Sequence, residues 1–255
     1  MTDSPQLGAT QLGAKQAATS PRPSADEAER EVVLTNGATV SVPHARVLLA
    51  LHVLRVVEGG PMLLLLHGLG RSAELDIPAD AADWPGSVVA LDFTGHGASS
   101  VPPGGGYTCE ILMGDVDAAL GVIGAATILG RGLGGYVALL IAGARPSLVR
   151  GIVIADGPGL AGGGVRPGSL HLDAPNTAAV PSHATPDPFA LLELSHDVRP
   201  RDYAANFVRS AVQLSPLDAP ITVAAASRPP WVQAVIDAYG VRVSSVTDAL
   251  RLYAR

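Results

Sequence analysis

Past residue 30, apolar residues fall into two alternating patterns: short continuous runs, and longer stretches with helical spacing. Residues 31–34 and 38–42 flank Thr35-Asn36-Gly37. Asn-Gly between β-prone runs predicts a hairpin, so the ordered chain is expected to open with antiparallel strands. Residues 50–57 alternate like a half-buried strand, and His52 within them reads as a solvated or structural histidine. The turn Glu58-Gly59-Gly60-Pro61 leads into residues 62–66, an unbroken apolar run that predicts a central strand covered on both faces.

Residues 88–91 predict the next buried strand, followed by a glycine-broken turn at residues 92–97. A helix is expected over residues 107–122, where Ile111, Val116, Leu120 and Ile123 fall at helical spacing. Then come a strand at 127–129, a helix at 133–144 and a strand at 151–155. Strands alternating with helices through short glycine turns build a parallel sheet with both faces covered. Residues 157–215 loosen into Gly, Pro and Ala, with helical stretches near 189–193 and 202–212, and read as a cap-like insertion over the carboxyl ends of the strands. A strand at 221–224, a helix at 231–239, a strand at 241–246 and a helix at 248–253 follow.

Composition narrows the class. The chain of 255 residues is 47% hydrophobic and 16% charged, so it has material for one large α/β core and lies far from the disordered class. Residues 1–30 are rich in Ala, Ser, Thr, Gln and Pro and read as a disordered leader, with residues 31–255 as a single domain. The leader lacks a signal-peptide core, and no apolar run approaches the roughly 20 residues of a membrane span, so a cytoplasmic protein without membrane contact is expected. Net charge is −6 and Lys15 is the only lysine, which argues against a nucleic-acid partner. The single cysteine, Cys109, excludes an intrachain disulfide and a thiolate metal cage.

Three segments carry candidate chemistry. The first predicted buried strand runs into His67-Gly68-Leu69-Gly70, the second into Asp92-Phe93-Thr94-Gly95-His96-Gly97-Ala98-Ser99, and the strand at 127–129 into Gly130-Arg131-Gly132-Leu133-Gly134-Gly135. In this order they resemble the α/β-hydrolase fold over residues 32–155, with a weaker likeness in the C-terminal hundred residues. The resemblance implies a mostly parallel sheet of about eight strands with helices on both faces and a short cap. It also implies that the Gly130–Gly134 turn is similar to the nucleophile elbow G-x-S-x-G, with Gly132 at the serine position. The amides of Leu69, after Gly68, and of Leu133 would be the oxyanion-hole donors. His67 and Arg131 are candidate ligand contacts, although a histidine at that turn usually bonds backbone, and an arginine there more often packs on a carboxylate.

The rest of a triad is also missing from its expected places. The matching points after the late strands are Ala226-Ser227-Arg228 and Thr247-Asp248, and no histidine follows His196. Cap residues His171, His183, His196, Asp173, Asp187 and Asp197 read as solvated, and His96 reads as an organiser of its turn. Ser72 and Ser99 lack a base and make poor nucleophiles. Gly130-x-Gly132-x-x-Gly135 also satisfies the dinucleotide fingerprint, with Asp156 as its acidic residue. That fingerprint belongs to the first strand of its domain, whereas here three or more strands precede it, so no cofactor is expected.

The leading expectation is therefore a protein of this fold without the Ser-His-Asp triad, catalytically inactive or non-classical, that binds a small apolar or anionic ligand. The alternative is an active hydrolase or lyase acting on an ester, lactone or C–C bond, with the Leu69 and Leu133 amides stabilising charge. Nothing in the sequence fixes an oligomeric state, and a homo-oligomer stays open.

Overall fold

A computed structural model describes residues 33–163 and 185–254. The leader expected over residues 1–30 lies outside the described residues, as do His171, Asp173 and His183. From Leu34 onward the described residues form one compact unit around an eight-stranded sheet in the order β1-β2-β4-β3-β5-β6-β7-β8. The strands are β1 (Thr39–His44), β2 (Val47–Arg55), β3 (Met62–Leu66), β4 (Ser87–Leu91), β5 (Ala126–Arg131), β6 (Val149–Ala155), β7 (Ile221–Val223) and β8 (Val241–Val243). β2 is antiparallel to β1 and to β4, and every other neighbouring pair is parallel.

The hairpin lies one turn later than the Asn-Gly signal suggests. Asn36-Gly37 does turn the chain, but Gly37 N donates to Val53 O and Val53 N to Ala38 O, so this turn feeds β1 onto β2 and does not join two strands. The hairpin itself closes at Ala45-Arg46, where Ala45 takes φ +52°, a left-handed value that alanine rarely announces.

Strand pleating divides the core in two. Leu64, Leu66, Val89, Leu91, Ile128, Ile152 and Ile154 point to one face, and Leu63, Leu65, Val88, Ala90, Leu129, Val153 and Ala155 to the other. This period of two is why runs such as residues 62–66 are apolar throughout: neither face is wet. The first face is covered by α1 (Cys109–Ile123), α2 (Leu133–Ala144), α4 (Arg201–Leu214) and α5 (Pro230–Ile236), the second by α6 (Val246–Tyr253) and a 3₁₀ turn at Ala79–Ala81. Thr108 caps α1 by accepting from Ile111 N. The inward stripe of α1 is Leu112, Val116, Ala119 and Leu120, while Ile111 is 41% exposed, which corrects its expected place on the core side.

Of the two helices within the segment expected as a cap, α4 packs on α2 and α5 and covers the sheet. Gly143 of α2 permits that approach, since a Cβ there would lie 2.8 Å from Phe207 O. α3 (Pro188–His196) sits above the carboxyl edge of the sheet. There Tyr107 Oη donates to Asp187 at 2.6 Å, Asp187 N donates to Gly95 O, and Gly106 N donates to Glu193.

Candidate functional site

The three glycine turns converge at the carboxyl ends of β3, β4 and β5, because β3 lies between the other two in the parallel sheet. His67, at the end of β3, is 7% exposed and bonded on both ring nitrogens. Nδ1 donates to Gly68 O at 2.8 Å, and Nε2 accepts from Phe93 N at 3.1 Å. Burial, together with the neighbouring His96 ring, pushes its pKa down to about 4, so the ring is neutral and serves to fix backbone.

The loop after β4 is built around two buried carboxylates. Asp92 accepts from Ala73 N at 2.6 Å and Ala98 N at 2.8 Å and meets His52 Nε2 at 2.9 Å. Asp115, on α1, accepts from Thr94 N and Thr94 Oγ1, both at 2.8 Å, and pairs with His44 at 2.7 Å. Ser99 Oγ donates to Asp92 O and accepts from Ala50 N. His96 is fully buried, with Nδ1 on Thr94 O. His52, His96 and Ser99 thus all hold the loop in shape, and Ser72 stands exposed on the surface.

β5 ends at Arg131 and α2 begins at Leu133, which leaves Gly132 as the whole turn, at φ +57° and ψ −119°. That conformation costs a side-chain-bearing residue about 1–3 kcal/mol. The two candidate oxyanion donors do converge: Leu69 N lies 3.0 Å and Leu133 N 2.9 Å from a single oxygen. That oxygen is the carbonyl of Pro158, from the loop after β6. The loop also fills the space above the turn, since a Cβ built on Gly132 would collide with Pro158 O and with the Gly157 carbonyl. Gly68 is bare for the same reason: a Cβ there would sit 2.8 Å from Pro158 O.

The loop is clamped from behind. Leu160 O accepts from Trp231 Nε1 at 2.7 Å and from Arg199 Nη1 at 2.6 Å, and Arg199 Nη1 also donates to Gly159 O. Neither Pro158 nor Arg199 stood out in the sequence. Gly157-Pro158-Gly159 announces a turn, but nothing local says where its carbonyl points, and a lone arginine before Pro200 carries no signature.

Arg131 turns away from Gly132, and its Nη2 donates to both carboxylate oxygens of Asp80, at 2.7 and 2.8 Å. With His67 it borders a cavity of about 30 Å³ on the α6 face of the sheet, room for about one water. Asp156, the acidic residue of the dinucleotide alternative, is taken up by Ala226 N at 2.7 Å and Ser227 N at 3.0 Å, and so ties the end of β6 to the end of β7. Partial burial opposes its ionisation, but the two amides and the Ser227 hydroxyl outweigh it and hold its carboxyl below the ordinary value. His196 is exposed, with Nδ1 on Leu192 O. Among the described residues, no three His, Cys, Asp or Glu side chains stand together to hold a metal, and no helix is long and apolar enough to cross a membrane.

Solved structures share this architecture. The hypothetical protein PA1622 from Pseudomonas aeruginosa PAO1 aligns over 87% of this chain and 100% of its own, at 18% identity and a TM-score of 0.61. The thioesterase domain from the curacin biosynthetic pathway covers 85% of this chain and 97% of its own, at 16% identity and a TM-score of 0.56. A hydrolase from Pseudomonas aeruginosa PA01 covers 83% and 91%, at 22% identity and a TM-score of 0.50. Likeness at these identities speaks for the fold alone. The match of residues 63–250 to a sequence model described as the alpha/beta hydrolase family spans well over half of the chain, from β3 into α6, and this chain belongs to that family.

Proposed function

We propose that this chain is a member of the family that does not run Ser-His-Asp hydrolysis and instead binds a small apolar or anionic ligand. The observation that carries the reading is the Pro158 carbonyl, which accepts from both the Leu69 and Leu133 amides above a Gly132 that has no side chain. Acyl transfer of the triad type needs a hydroxyl at the elbow, a base within hydrogen-bond reach, and donors free to receive the developing oxyanion. Position 132 supplies no hydroxyl, the late histidine is absent from the sequence, and the two amides already serve a peptide oxygen.

The same oxygen weighs against an active hydrolase or lyase working on an ester, lactone or C–C bond through those amides. An oxyanion hole and binding alone can accelerate a reaction by about 10³–10⁴ over water. Here the substrate oxygen would first have to displace Pro158 O from two well-formed bonds and pull the loop away from Arg199 and Trp231.

The test is a panel of p-nitrophenyl esters and lactones alongside a fluorophosphonate probe. The expected result is turnover at the uncatalysed rate and no covalent label. Rapid turnover or labelling of one site would overturn the reading. A metabolite extract compared by mass spectrometry before and after incubation separates the two alternatives, since a binder retains a compound and an enzyme depletes it.

A further inference from the structure

Among the described residues, Arg199 is the one buried side chain whose polar atoms are left without partners. It is 5% exposed, yet Nε and Nη2 have no acceptor. Arg131, Arg145 and Arg251, by contrast, pair with Asp80, Asp117 and Asp83. The rest of the guanidinium is fixed. Nη1 is held by the carbonyls of Gly159 and Leu160, and the central carbon lies 4.8 Å from the centroid of the Tyr136 ring. What stays unpartnered is the edge formed by Nε–H and Nη2–H, two buried parallel donors whose spacing matches the two oxygens of a carboxylate.

The surroundings favour negative charge at that edge. Cys109, the first residue of the fifteen-residue helix α1, brings its thiol against the guanidinium, which therefore lies beside the N-terminal, positive end of that helix. Asp197 is the neighbouring carboxylate, and it accepts from Cys109 N at 3.3 Å without closing the guanidinium edge. Gly162 brings bare backbone up to the group: a Cβ there would lie 2.9 Å from Nε. Burial holds the guanidinium below its ordinary pKa, with the Cys109 thiol and the Asp197 carboxylate offsetting that loss only in part.

We infer that the Nε/Nη2 edge of Arg199 is a binding site for the carboxylate group of a small-molecule ligand. This site deepens the ligand-binding reading proposed above and depends on it. The guanidinium that would hold the ligand also holds the loop carrying Pro158, so recognition and the occupied amide pair share one anchor.

The test is a titration of the full chain, labelled with ¹⁵N-arginine, with sodium acetate, butyrate and hexanoate. Hexanamide, sodium chloride and inorganic phosphate at matched ionic strength serve as comparisons. The resonance of a buried Nε–H, sheltered from exchange, is expected to move saturably with the carboxylates and to stay in place with the amide and chloride. Arg199→Lys keeps a positive charge and loses the parallel donors. It is expected to weaken hexanoate binding about tenfold or more, the loss of one two-pronged charge-assisted pair. If that variant fails to fold, the wild-type titration decides alone. No saturable shift with any carboxylate, an equal response to chloride, or a response to phosphate in place of carboxylate would overturn the assignment. Ester hydrolysis plays no part in this readout, so failure of the non-hydrolytic reading and failure of this site are separate results.

Discussion

Two loops at the carboxyl edge of the sheet are fastened by opposite means. Residues 92–100 are held by side chains, with Asp92 and Asp115 collecting the amides of Ala73, Ala98 and Thr94 and the rings of His52 and His44. The Pro158 loop is held chiefly through its carbonyls, on the amides of Leu69 and Leu133 and on the tips of Trp231 and Arg199. A loop fastened by side chains is undone by removing atoms. A loop seated on bare glycine is undone by adding them.

The largest effect is therefore expected from deletion of a side chain that fastens the first loop. Asp115→Ala leaves Thr94 N, Thr94 Oγ1 and His44 without their acceptor in a fully buried site, at a cost of about 3–5 kcal/mol, read as a lower urea midpoint with an unchanged slope. A loss below about 1 kcal/mol would mean that the carboxylate is not the fastener.

Next in size is addition at the second loop. Gly132→Ser must adopt a left-handed backbone and push Pro158 aside, at a combined cost of about 2–4 kcal/mol. It is expected to gain no esterase activity, because no histidine follows His196 to serve as the usual base. Tolerance of the serine without loss of stability would show that the loop yields easily, and would reverse the contrast between the two loops.

Smaller still, Pro158→Ala keeps the carbonyl that does the fastening and is expected to cost no more than about 1 kcal/mol, through a freer unfolded chain. A larger loss would place the hold in the ring and not in the backbone oxygen.

The smallest effect belongs to pH. The hydrogen bond to Asp115, against some burial, raises the His44 pKa above 6.5. The folded state therefore binds this proton more tightly than the unfolded chain does. The added stability is complete below pH 6.5 and fades as the pH rises through the raised value. Solvent screening at this partly exposed ring holds it to about 0.5 kcal/mol. Urea midpoints measured between pH 5 and 8 are expected to carry this dependence in the parent chain and to lose it in His44→Gln.

Much of the fold was legible because it is local. Residues 62–66 and 133–144 coincide with β3 and α2, since an apolar run between turns and a helical stripe after a glycine turn each declare themselves within a dozen residues. The hairpin was misplaced because its turn is made by Ala45, which shows no turn chemistry in the sequence. At the site, Gly68, Leu69, Gly132 and Leu133 were singled out by the resemblance of their turns to those of the family, and the structure gathers them around one oxygen.

Within the amino-acid sequence alone lay the strand and helix pattern, the glycine turn at Gly132 and the lack of a histidine after His196, because each is a matter of residue identity and short-range period. Tertiary structure alone decided that the Gly132 turn is covered by Pro158 and that two buried donors of Arg199 have no partner. A carbonyl's direction and a buried guanidinium's unmet donors depend on segments brought together from 25 to 89 positions away, and no local pattern of hydrophobic and polar residues encodes where such hydrogen bonds go.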